Sequence, residues 1–155
     1  MRVENWESKL NNYIEQTNKK SKFKYGKNDC ITFVLKGIEI ITDRKIFDHK
    51  WKSIKDGRDL INKFKKNDLL GIALLVGKEN NFKQIDIHYA QRGDVVYHKN
   101  IKKSDLDGSL GICLGSSSLF NWSKGMTFKP TLDCKIAWRI EWKFIIKLFM
   151  IKITM

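Results

Sequence analysis

One proline in 155 residues, three cysteines with no close pair among them, and no apolar run of membrane-spanning length are what the sequence has little of. The scarcity of proline excludes a proline-rich linker or a polyproline ligand. Cys30, Cys113 and Cys134 are odd in number and widely spaced, with no Cys-x-x-Cys. That excludes a disulfide framework and the common zinc and redox motifs, so reduced thiols and neither metal nor cofactor are expected. The opening MRVENWESKL lacks the apolar core of a secretory signal, so synthesis in a cytoplasm is expected, with any later export by another vehicle. The apolar stretch Phe144–Met155, FIIKLFMIKITM, is interrupted by lysines and falls short of the ~20 residues that a membrane span needs. It reads as a strand or docking segment beyond a domain of residues 1–143.

What is present describes one globular domain. The chain is 42% hydrophobic and 12% aromatic, enough for a single core without disulfide or metal staples. Its formal charge of +13 creates a field that attracts nucleic acid, anionic lipid or anionic glycans. Most of that excess is lysine beside abundant isoleucine and asparagine, which equally fits the codon bias of an AT-rich genome. No basic stripe interleaved with aromatics stands out, and no known nucleic-acid motif is read.

Hydrophobic spacing orders the elements. Trp6, Leu10, Tyr13 and Ile14 predict an amphipathic helix over about 5–17. Asn28 and Asp29 offer N-cap chemistry before Cys30, Phe33, Val34, Gly37, Ile38 and Ile41, whose spacing predicts a central buried helix. Residues 56–77 predict two further helices broken at Asn67-Asp68. From Lys83 the period changes toward two, and strands are expected at Ile85–Ile87, Asp94–Tyr97, Ser109–Gly115, Leu119–Trp122, Met126–Lys129 and Lys135–Trp142. Helices followed by antiparallel strands give an α+β fold. Arg92-Gly93-Asp94 spells an adhesion tripeptide but sits as a turn into a strand. Trp122, Trp138 and Trp142 suit either core packing or a glycan groove.

Trp6 and Leu10, then Phe23-Lys24-Tyr25-Gly26-Lys27-Asn28-Asp29-Cys30, Ala90-Gln91-Arg92-Gly93-Asp94-Val95-Val96, Leu110-Gly111-Ile112-Cys113-Leu114-Gly115 and Ala137-Trp138-Arg139-Ile140 occur in one order. That order resembles a family of small proteins of unassigned function, encoded among the tail genes of phages and gene-transfer particles. The family in turn resembles the NlpC-type, papain-like peptidases of peptidoglycan, in which an Asp-Cys opens a helix and a Gly-Asp strand leads into a His-x-Gly strand. The resemblance implies a papain-like fold with Cys30 in the place of the nucleophile. A thiol at a helix N-terminus feels the positive end of the helix dipole, which lowers its pKa. Catalysis also needs a histidine to take the thiol proton and return it to the leaving amine.

The chain departs from the enzyme pattern there, because Ser109 stands where the peptidases carry that histidine. Among His49, His88 and His98, only His98 falls near the expected neighbourhood, and a solvated histidine at a strand end is its ordinary role. Asp29 caps the helix or orients a partner, and Cys30 is either a nucleophile, its vestige or a small buried apolar residue. Three readings follow. The chain is a virion tail protein that uses an NlpC-like fold as an assembly module without peptidase activity, contacting other virion proteins through Phe144–Met155. It is alternatively an active cysteine hydrolase of peptidoglycan that acts during genome entry. The third reading is a basic protein associated with DNA in the particle.

Overall fold

A period of 3.6 in the first twenty residues becomes α1 (Trp6–Lys20), which continues through the polar residues expected to end it. Lysine is a good helix former, and Asn18 and Lys19 are exposed, so nothing stops the helix at Thr17. The Thr17 hydroxyl instead donates back to the Tyr13 carbonyl at 2.8 Å. The computed structural model describes residues 1–20, 22–99 and 105–141.

Helix α2 (Cys30–Thr42) begins where Asp29, in extended conformation, accepts the Thr32 N–H, and ends at Asp43 in the left-handed region. Its face of Phe33, Val34, Ile38 and Ile41 is buried. Gly37 lets this face approach the sheet, since a Cβ there would lie 2.6 Å from the Ile112 side chain. The expected break at Asn67-Asp68 separates α3 (Ile54–Lys63), capped by Ser53, from α4 (Leu69–Glu79), capped by Asp68.

Among the described residues six strands follow: β1 (Lys83–Ile85), β2 (Val95–Lys99), β3 (Gly108–Cys113), β4 (Ser117–Trp122), β5 (Gly125–Pro130) and β6 (Ile136–Arg139). They form one sheet of order β1-β6-β2-β3-β4-β5, with every pairing antiparallel. The domain is α+β, with its helices first in the chain. Alternation along the strands creates two faces. Val95, Tyr97, Leu110, Ile112, Leu119 and Trp138 meet the helices in one core with Leu10, Phe33, Val34 and Ile41. Val96, Cys113, Phe120, Cys134 and Ala137 form a second cluster on the opposite face. Trp138 is therefore a core residue, as its apolar bulk favours. Trp142 and the stretch Phe144–Met155 lie outside the described residues, and β6 is described as Ile136–Arg139, shorter than the expected run.

The Gly93-Asp94 pair closes the domain. Gly93 sits at φ +91, with the Trp6 ring 2.7 Å from where a Cβ would stand. Asp94 is fully buried, accepts the Gln91 N–H at 2.7 Å, and meets Arg139 Nε at 2.8 Å and Arg2 Nη2 at 3.4 Å. Arg2 also donates to the Ile140 carbonyl at 2.8 Å and lies over the Trp6 ring. The adhesion-like tripeptide is thus a turn whose aspartate is inside the protein. Among the described residues no helix is long and apolar enough to cross a membrane.

Candidate functional site

The start of α2 opens into a groove of about 580 Å³ whose walls include Phe23, Tyr25, Trp51 and Trp122, with Asp29, Cys30, Ser109 and Asn121 among its lining residues. A short turn builds one wall. Lys24 and Asn28 exchange backbone hydrogen bonds at 2.9 and 2.7 Å, and Gly26 takes φ +78 between them. Only glycine fits, because a Cβ at Gly26 would fall on the Trp51 carbonyl oxygen.

Asp29 ties this wall to the helix. Its Oδ1 accepts the Thr32 N–H at 2.7 Å, and its Oδ2 accepts the Gly26 N–H at 2.6 Å and the Trp51 indole N–H at 2.6 Å. Both oxygens are engaged in structure. The same aspartate that caps α2 therefore clamps the loop carrying Trp51, and no catalytic partner is oriented by it. Across the groove, Asn121 donates to the Asn28 side chain at 2.6 Å, which fixes β4 to the same turn.

Cys30 has intermediate exposure and lies beside Ile31, Leu69 and Leu106 on the groove lining. Burial pushes its thiol up from 9.0 to about 12, and the Asp29 charge adds to that rise. The backbone N–H groups of Leu110, Cys30 and Ile31 act in the opposite direction. The expectation that the helix N-terminus activates the thiol is therefore corrected: removal from water, together with an adjacent carboxylate, outweighs those donors.

Register decides where the histidine candidate stands. His98 pairs directly with Ser109 across β2 and β3, one step from the Tyr97–Leu110 pair that faces the helices. Both therefore belong to the sheet face away from α2, where the His98 ring lies 5.8 Å from Phe120 and 6.0 Å from Trp122. Burial first, and Lys129 second, lower the His98 pKa, and its Nδ1 is buried with no hydrogen-bond partner among the described residues. His49 packs its ring on Phe47 and Phe64, and His88 is exposed with Nδ1 2.6 Å from the Asp86 carboxylate. None of the three histidines lines the groove. The Gly108-Ser109 backbone region does line it, but the register turns the Ser109 side chain to the face of His98, so the groove brings Cys30 and Asp29 together and leaves the His98 ring out.

Trp51 and the Asn28–Asn121 link are the site residues that sequence reasoning missed. Trp51 sits in an aperiodic loop, and only the polar tip of a buried-type aromatic hinted at a partner. The finished groove combines aromatic faces with Ser53, Asn121, Ser123 and Thr127 and suits binding. Among the described residues no group of histidine, cysteine and carboxylate side chains is arranged to hold a metal ion.

No curated protein and no solved structure matches the chain. A family model does match, over residues 1–140, which takes in every described helix and strand and ends one residue beyond β6. The chain belongs to that family, described as a domain of unknown function (DUF6950).

Proposed function

We propose that the protein is a tail-associated virion component of a phage or phage-like particle, in which an NlpC-like domain serves as an assembly module without peptidase activity. The observation that carries the non-catalytic part is the sidedness of the sheet. Cys30 opens α2 on the helix side and lines the groove, whereas His98 stands on the other face. A thiol attacks a carbonyl only after losing its proton to a nearby base. In the resemblance Ser109 takes the place of that base, and a serine hydroxyl is too weak an acceptor to serve. Asp29, the only carboxylate on the groove lining among the described residues, already accepts three hydrogen bonds. The virion part is supported by the five ordered blocks, and the structure gives most of them packing work: Trp6 against Gly93, Asp29 on Trp51, Asp94 on Arg139. The neighbours are other tail proteins, engaged through Phe144–Met155 by strand addition.

The runner-up, a cysteine hydrolase of peptidoglycan, draws on the groove that presents Cys30 at a helix start. A turbidity assay on purified cell walls with wild type and Cys30→Ala separates the two. Unchanged turbidity with both proteins is expected, and lysis that disappears in Cys30→Ala would overturn the non-catalytic reading. Light scattering on the full chain and on a chain ending at Glu141 tests assembly. Self-association or capture of a tail protein lost on truncation is expected, and identical behaviour of the two chains rejects the role given to Phe144–Met155.

A further inference from the structure

A run of positive charge without an acidic residue lies next to the groove. Residues 17–28 contain five lysines, Lys19, Lys20, Lys22, Lys24 and Lys27, and no acidic residue. Phe23 and Tyr25 alternate with the last three, so an aromatic-interleaved basic stripe exists where none was expected. The fold sorts this alternation onto two sides. Phe23 and Tyr25 line the aromatic groove, their rings 4.9 Å apart and nearly perpendicular. Lys22 and Lys27 line a second groove of about 990 Å³ between α1 and α2, joined there by Lys9 and Lys36. All four of these lysines are exposed. The acidic residues on that second groove are Glu39 and Asp43, at the far end of α2. On the aromatic side the charged lining residues are Asp29, buried and fully hydrogen-bonded, and Lys124.

We propose that the ridge formed by residues 22–28 is a binding site for single-stranded nucleic acid, with phosphates along the lysine groove and bases against Phe23 and Tyr25. Lysines from α1, the ridge and α2 converge on a groove that a phosphate backbone can follow, and they displace its counterions. Aromatic side chains beside such a groove offer faces to unpaired bases of any sequence. A duplex keeps its bases stacked inside and gains only the lysine side of the ridge. An acidic protein segment would likewise gain only the lysines. The proposal stands apart from the assembly reading, since it uses neither Cys30 nor Phe144–Met155.

Fluorescence anisotropy of the full chain with a labelled twelve-nucleotide oligo-dT, against the matching duplex and against polyglutamate, tests it. The charge reversal Lys22→Glu/Lys27→Glu/Lys36→Glu is compared with Lys63→Glu/Lys78→Glu/Lys83→Glu, an equal change on exposed lysines that line neither groove. The ridge variant is expected to bind oligo-dT at least about tenfold more weakly, with a shallower salt dependence, and the control to lose less than about threefold. Tyr25→Ala is expected to weaken oligo-dT about fivefold or more and to leave duplex binding unchanged. Glutamine versions of the same lysines repeat the comparison if a glutamate variant melts early. Equal losses in the two triple variants, or tighter binding of duplex or polyglutamate than of oligo-dT, would overturn the proposal.

Discussion

Asp29 carries more structure than any other polar residue of the groove. It accepts from the helix backbone, the ridge backbone and the Trp51 indole, and it is only 3% exposed. Its loss leaves three donors unmatched and uncaps α2, so Asp29→Ala is expected to destabilise by about 3 kcal/mol in urea titration. Asp29→Ser restores the cap alone and should recover about 1 kcal/mol of that. Next to it, the rise of the Cys30 thiol from 9.0 to about 12 leaves roughly a thousandfold less thiolate near neutral pH than an ordinary thiol holds. Alkylation of native Cys30 by iodoacetamide at pH 8 should lag a free-cysteine peptide by about that factor, and comparable rates would contradict the raised thiol pKa. Asp29 and Cys30 were legible in the sequence because capping is a local event, decided within four residues. Trp51 and Asn121 were not, because they reach Asp29 and Asn28 from 22 and 93 positions away.

Among the elements, the helices and the helix-to-strand switch were legible because their periods differ. The face on which His98 and Ser109 sit was not, because a shift of one residue in strand parity exchanges the two faces and only the packed sheet decides it. Loop conformation was legible at glycines in part. Gly26 and Gly115 both adopt positive φ, +78 and +122, yet a Cβ at Gly26 collides with Trp51 while one at Gly115 meets nothing within 4 Å. Gly115→Ala should therefore cost about 1 kcal/mol, the conformational penalty alone, and Gly26→Ala more than about 3 kcal/mol. Chemical denaturation monitored by tryptophan fluorescence reports both, and equal losses would show that the ridge can part from Trp51 without cost.

For the whole molecule, the α+β class was legible and the strand order was not, since pairing of β6 with β1 and β2 leaves no trace in local periodicity. The closing charges make that pairing expensive to disrupt. Arg139→Ala leaves Asp94 buried with the more distant Arg2 and should cost about 3 kcal/mol, read as a drop in melting temperature. Alkali is a second global lever. Cys30, Cys134 and Tyr13 are acids whose folded-state pKa is raised to about 12, chiefly by burial. The folded chain thus holds these protons more tightly than the unfolded chain. Their contribution is complete below about pH 9 and is lost as pH climbs toward 12. Urea midpoints should fall across that window, and fall less in Cys30→Ala.

The position of β6 bears on how the protein is made. The last strand of the matched domain is an interior strand, seated between β1 and β2, and the Arg2 side chain is held by the carbonyl of Ile140. A growing chain still short of residue 136 has β1 and β2 with a strand-wide gap between them and Asp94 without Arg139. Completion of the sheet, and of the Asp94–Arg139 contact, therefore waits on the residues of β6.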